Sequence, residues 1–529
     1  MGDVAATKVS SSLSAAINNR EARLRRVDQT ALWHPFTQMA CYADETPPPP
    51  IIVRAEGNWL IDAAGKRYLD ANAGYWCLAL GCRPKAVEQA VHAQLREFAH
   101  STLLGISHLP AIKLAERLTT LAGPPLNHVF YADSGSEAVE VALKMAYQFH
   151  VHNGHPERCE FLALGEAYHG DTLGAVAVGG IGLFHATFKP LLFPVRRVPP
   201  PNCYRCPYHE RPARGPGSKA GVCHAQPCCS AARAAAGVLG RRAAGRSGEA
   251  RMECAQALER VIALHHATLA AVVIEPFVLG PGGIIPQPEG YLERVVSAAR
   301  EHGVLVIFDE VAVAMGRLGT VFAFEQLVPR MHEAHPCETD PLLTRRLRNA
   351  ANGLKPDLVC LAKGLTAGLL PLSAVLTAEH IHRAFLGTYA QQRTFFHGHT
   401  FTGSALGCAA ALAALDQIAA PEFLRKLREK TIPAFWRALA PLGEHPHVGD
   451  LRGRGLMAGI ELVKDKRRGP AYPWADRYGH RVVLAARKRG VNTRAIGSIV
   501  LAVPPLTIKP DEIAFLAKAL CESVEEATR

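Results

Sequence analysis

Two short runs in the middle of the chain are apolar on successive positions: Leu269–Glu275 (LAAVVIE) and Gly303–Glu310 (GVLVIFDE). Rich in β-branched residues and closed by acids, each predicts a strand buried on both faces, as a parallel sheet requires. Between them, Tyr291–His302 spaces its apolar and charged residues at the helical period, so residues 269–310 predict a β-α-β unit. Val129–Ala132, Phe161–Leu164 and Leu358–Leu361 predict further strands. The expected class is α/β, a mostly parallel central sheet wrapped by helices, with ligands beyond the carboxyl ends of its strands.

The pattern divides the chain in three. Residues 1–70 carry the Pro47–Pro50 run and a hairpin, Ile51–Arg54 with Trp59–Asp62 about Gly57-Asn58; this segment is expected to contribute to a small domain and to the substrate site. Residues 71–400 hold the sheet. From 401 to 529 a long Ala/Leu-rich helix, Ser404–Ile418, precedes short strands near Leu456–Leu462 and Ile499–Val503, which predicts a smaller α+β C-terminal domain. No repeat supports a solenoid or propeller.

Composition narrows the class of partner. With 48% apolar and 20% charged residues the chain matches an ordinary globular protein, which excludes disordered and fibrous classes. Lys and Arg outnumber Asp and Glu by 59 to 47. Half of that excess sits in the Pro/Gly/Ala-rich stretch 203–254, so a nucleic-acid partner is not expected. The fourteen Cys lack a regular framework, and Met1–Arg26 shows no apolar signal core. Reduced thiols and a cytoplasmic location are expected, and no run reaches the ~18 apolar residues of a membrane span. Asp3 and Glu21 argue against reading the first 26 residues as a transit peptide. The segment 203–251 reads as an insertion. Its Cys203-Tyr204-Arg205-Cys206 has zinc-ligand spacing, but Cys223, His224, Cys228 and Cys229 add no second CxxC pair, so a surface loop without metal is expected.

Three positions at strand ends carry candidate chemistry. Asp133-Ser134-Gly135-Ser136 follows one strand and opens a helical pattern; its backbone N–H groups and the Ser136 hydroxyl suit a phosphate, although a plain N-cap uses the same residue types. Asp309 closes a strand where a carboxylate can keep a pyridine nitrogen protonated. Lys363 follows the apolar strand 358–361 and precedes Gly364; a partly desolvated amine has a lowered pKa and forms Schiff bases. Each has a bland reading as cap, solvated strand end or snorkelling lysine.

Their order and separation resemble those of fold type I pyridoxal-phosphate enzymes. Asp309-Glu310 with Gly316-Arg317 and Gly319, Leu361-Ala362-Lys363-Gly364-Leu365, and His397-Gly398-His399-Thr400-Phe401-Thr402-Gly403 resemble the class III (ω-) aminotransferase signature. Trp33–Met39, Ala167–Thr172, Thr102–His108, Gly179–His185, Asn492–Arg494 and Ser498–Pro505 resemble the subgroup that aminates 8-amino-7-oxononanoate on the way to biotin.

The resemblance implies roles. Lys363 would bind pyridoxal 5′-phosphate as a Schiff base and shuttle a proton, and Asp309 would pair with the ring nitrogen. Gly135 and Ser136 would hold the phosphate, joined by Thr400 from the partner of a homodimer. Tyr168 and Val311 would cover the two ring faces. Arg494 would pair with the acceptor's carboxylate, while Phe36, Tyr75, Trp76 and Gly398 would line its aliphatic chain, although Phe36 and Trp76 also suit plain core packing. S-adenosylmethionine is the implied donor, and small molecules are the only other partners expected.

Departures keep alternatives open. Val313-Ala314-Met315-Gly316-Arg317-Leu318-Gly319 replaces the usual Thr-Gly-Phe-Gly-Arg-Thr-Gly run, Leu279 stands where glutamine is expected, and Gly74–Arg83 keeps only part of its pattern. A different ω-aminotransferase, acting on a diamine, β-amino acid or taurine-like donor, is the second reading. A silent scaffold is the third, opposed by the retention of Lys363 and Asp309.

Overall fold

A computed structural model describes residues 21–208, 252–327, 353–466 and 469–529. The insertion expected at 203–251 lies almost wholly outside them, as does most of the N-terminal stretch 1–26. After the short helix Met39–Ala43 comes an antiparallel meander, β1 (Ile52–Glu56), β2 (Trp59–Asp62) and β3 (Arg67–Asp70), turning at Gly57-Asn58 as expected. The central sheet follows: β4 (Leu126–Ala132), β5 (Glu160–Leu164), β6 (Arg196–Val198), β7 (Leu269–Ile274), and, beyond the short pair β8 (Val278–Leu279) and β9 (Ile285–Pro286), β10 (Leu305–Asp309), β11 (Leu358–Leu361) and β12 (Ser373–Ala378).

The order in that sheet is β4-β12-β11-β10-β7-β5-β6. All strands run parallel except β12, which is antiparallel to both neighbours. The expected β-α-β unit is present: β7 and β10 pair in parallel, joined through the helix Tyr291–Glu301. Every residue of β7, β10, β11 and β12 is buried, which is why the sequence there is apolar without alternation.

The C-terminal strands β13 (Val448–Arg454), β14 (Met457–Leu462), β16 (Ala495–Ile496) and β17 (Ile499–Ala502) form a four-stranded antiparallel sheet; β15 (Val491–Asn492) instead joins β3 in parallel. The first and last parts of the chain thus meet beside the central sheet. Helix Ala405–Ile418, capped by the Ser404 hydroxyl, packs on Lys85–Glu97 and Leu109–Ala122. Among the described residues no helix is long and apolar enough to cross a membrane. Cys77, Cys82, Cys360 and Cys408 carry free thiols.

Candidate active site

Beyond β11 the backbone turns sharply. Ala362 is extended (φ −162°), and Lys363 enters the left-handed region at φ 45°, opening a short 3-10 turn. A Cβ on Gly364 would come 2.9 Å from Met315 Cβ, so only glycine lets this turn press on the 313–319 loop. That loop is well anchored despite its unusual sequence: Gly316 N donates to Thr320 O, and the buried Arg317 donates to Pro504 O. Burial lowers the pKa of the Lys363 amine, while the charges of Asp309 and then Glu275 pull it back up. The amine sits 5.0 Å from the Trp76 ring centroid.

Asp309 ends β10, the strand beside β11. Its Oδ1 accepts from Val311 N at 3.0 Å and its Oδ2 lies 2.8 Å from His169 Nδ1. Both side chains are buried, and among the described residues His169 Nε2 has no hydrogen-bond partner. Glu275 follows β7, the next strand along, accepting from Tyr168 N at 3.0 Å and Gly280 N at 2.8 Å. Burial pushes its carboxyl up to about 7, with nearby Asp309 adding to the rise and His169 opposing it. One amine and two acids therefore stand at the carboxyl ends of three adjacent parallel strands.

β4 delivers the 133–136 turn. Ser134 caps helix Gly135–His152, its hydroxyl accepting from Glu137 N at 3.3 Å while Glu137 accepts from Ser134 N at 2.8 Å. Cap and candidate phosphate turn therefore coexist, because the capping groups belong to Ser134 and Glu137 rather than to Gly135 and Ser136. A Cβ at position 135 would fall 2.8 Å from Val311 Cγ1, so the glycine and Val311 are in intimate contact. Ser136 Oγ accepts from Asp171 N at 3.2 Å, and the Tyr168 hydroxyl donates to Asp171 at 2.6 Å. Tyr168 is thereby fixed over the same region.

A second wall faces this cluster. Tyr75 and Trp76 stack at 5.7 Å with an interplanar angle of 9°, and Arg494 lies over Tyr75 at 5.1 Å. Phe36 meets Phe184 edge-on at 5.2 Å, and Phe184 meets Tyr168 edge-on at 6.3 Å. Trp76 Nε1 is buried without a hydrogen-bond partner among the described residues. Gly398 and Thr400 differ from the rest. They lie, exposed, on a loop held through His397, whose Nδ1 is 2.8 Å from Lys144 Nζ, and among the described residues no hydrogen bond or ring contact ties either of them to Lys363.

His169 and Asp70 were not legible in the sequence as site-builders, although His169 lies in the Tyr168 motif, because the groups they meet are distant in the chain. Glu275 was legible as the acid that closes the 269–275 run, but its bond to Tyr168 N emerges only in the fold.

The constellation suits a flat cofactor with an aldehyde, a basic ring nitrogen and a phosphate: an amine of lowered pKa, a buried acid at a strand end, a glycine turn at a helix start and two aromatic walls. Fold and site together define an aminotransferase. The family model for class-III aminotransferases matches residues 41–334 and 348–524, and the chain belongs to that family. It is similar to the adenosylmethionine-8-amino-7-oxononanoate aminotransferase of Geobacter sulfurreducens, with 42% identity over 505 residues, 96% of this chain and 98% of that one. The solved structure of the enzyme of that name from Methanocaldococcus jannaschii has a TM-score of 0.80 and 37% identity, covering 96% and 99% of the two chains. An amine transaminase from an uncultivated Pseudomonas species, solved in its pyridoxal-phosphate-bound form, has a TM-score of 0.78 and 31% identity, covering 94% and 99%.

Proposed function

We propose that this chain is a pyridoxal-phosphate aminotransferase that converts 8-amino-7-oxononanoate to 7,8-diaminononanoate for biotin synthesis, drawing nitrogen from S-adenosylmethionine. The observation that carries the reading is the Lys363 amine, depressed by burial and faced by Asp309 across neighbouring strand ends. Relatives bearing that enzyme's name over nearly the full length support the choice of acceptor.

The cofactor, when bound, supplies an electrophilic carbon that carries nitrogen and a ring that accepts electrons. Lys363 Nζ anchors it and moves the proton at the donor's α-carbon, a task for which a depressed amine pKa is suited. Asp309, oriented by His169, holds the proton of the ring nitrogen. Gly135 and Ser136 bind the phosphate, and Tyr168 and Val311 enclose the ring faces. Arg494 clamps the acceptor's carboxylate, with Phe36, Tyr75 and Trp76 around its chain, while Gly398, on the exposed loop that carries Thr400, would line it only from across a dimer interface. Reaction follows two half-turns, donor first and acceptor second.

We further infer a cytoplasmic homodimer in which Thr400 reaches the partner's phosphate site. Exposed Tyr389, Phe396 (79%) and Phe401 (55%) on the stretch that carries Thr400 support a covered face.

Two measurements test the function. Purified protein should show a near-visible absorbance band that bleaches on adding donor, and the gene should restore growth to a strain lacking this biotin step, with Lys363→Ala as the inactive control. A bleaching protein that fails to restore growth turns the assignment to another ω-aminotransferase, the reading to which Leu279 in place of the expected glutamine points.

A further inference from the structure

Four successive residues, Ala73, Gly74, Tyr75 and Trp76, have φ values of 44°, 56°, 67° and 74°. Only glycine visits this region freely, so three side-chain-bearing residues held there in a row require an outside restraint. Asp70 supplies it. Its carboxylate accepts from Gly74 N at 2.7 Å and from Asn72 N at 3.1 Å, and it also accepts from Asn492 Nδ2 at 3.2 Å. Asp70 and Asn492 are register partners between β3 and β15, and Ala71 N donates to Asn492 O at 2.9 Å. Arg494 lies two residues beyond Asn492. One buried carboxylate thus fixes both the turn that presents Tyr75 and the strand that presents Arg494, and those two side chains meet at 5.1 Å.

We propose that Asp70 is a positioning residue that sets recognition of the acceptor's carboxylate by holding Tyr75 and Arg494 in register. The proposal rests on the reading of Arg494 given under the proposed function and adds to it a residue that touches no substrate. A plain structural role for Asp70 would lower stability and activity toward every acceptor alike. A positioning role changes the preference between acceptors.

The test uses Asp70→Asn in the full-length holoenzyme, with 8-amino-7-oxononanoate and a carboxylate-free ketone of equal chain length as acceptors. Expected is a fall of at least about tenfold in the kcat/KM ratio between the two, carried by KM, with kcat at saturation within about threefold. The cofactor's absorbance band should stay at its wild-type position. An unchanged ratio overturns the proposal. If Asp70→Asn does not fold, Asn492→Ala takes its place, since it removes only the bond from the β15 side. A lowered ratio in that variant supports the role and an unchanged one overturns it. Should the wild type aminate neither compound, the function reading fails separately, and the same ratio is taken between pyruvate and propanal, which keep the carboxylate contrast.

Discussion

His169 Nδ1 and Asp309 Oδ2 lie 2.8 Å apart in a fully enclosed setting, joined from opposite ends of a 140-residue separation. Among the described residues Val311 N holds the other carboxylate oxygen, so the imidazole and this backbone N–H together decide which way the carboxylate points. His169→Phe fills the same volume without the ring nitrogen. A hydrogen bond to a charged group is worth about 1.5–3 kcal/mol, so kcat is expected to fall roughly 10- to 100-fold. The cofactor's absorbance should also titrate differently from wild type, whereas a mere packing role would leave that titration unmoved.

Gly135 and Val311 make a pair that overpacking can probe. Adding one methyl at 135 places it 2.8 Å from Val311 Cγ1 and 3.1 Å from Cγ2. Gly135→Ala should cost about 1–3 kcal/mol in melting-derived stability and weaken cofactor retention on dialysis. Val311→Ala in the same chain should recover part of that loss, because it removes the methyl groups that collide. Equal cofactor loss in single and double variants would show that the two residues act apart.

These contacts explain how far the sequence could be read. The strands β7, β10 and β11 were legible because burial on both faces demands unbroken apolar runs, and Lys363 and Asp309 stood out as polar residues at their ends. β12 was not legible although it too is fully buried, because Ser373 and Thr377 interrupt the apolar run of SAVLTA. Arg494 and Tyr75 could be named separately but not as neighbours, since 419 positions divide them and only the β3–β15 pairing brings them together. Asp70 was invisible for the same reason, its partners being backbone N–H groups that every residue type carries.

Two buried acids set a pH dependence of stability. Burial pushes Glu310 up to about 8 and Glu275 up to about 7, against an ordinary value of 4.5. At these two groups the folded chain keeps protons that the unfolded chain releases, so their contribution to the free energy of unfolding falls as pH rises from about 4.5 to 8. Glu310 accepts from Ala323 N on one oxygen and from Phe324 N on the other, at 2.5 and 2.8 Å, so Gln in its place removes the titrating proton at the cost of one of these two bonds. The urea midpoint of Glu310→Gln should rise relative to wild type across that window, whatever the offset between them at low pH. A constant difference between the two proteins would remove Glu310 from the account.

Arg494 shares the Tyr75–Trp76 stack with the Lys363 amine, one cation at each end of two parallel rings. A guanidinium can lie flat on Tyr75 and still offer two parallel N–H donors to a carboxylate; an ammonium keeps the charge and loses the fork. Arg494→Lys should therefore raise KM for 8-amino-7-oxononanoate about tenfold or more, equivalent to ~1.4 kcal/mol, with little change in kcat. Tyr75→Leu keeps the arginine and removes only its platform, which is worth about 0.5–1 kcal/mol at a partly open site, so a KM rise of about two- to fivefold is expected. If the leucine variant were the more damaged of the two, the ring would be contacting the substrate itself rather than serving the arginine, and the order of these two effects distinguishes the roles.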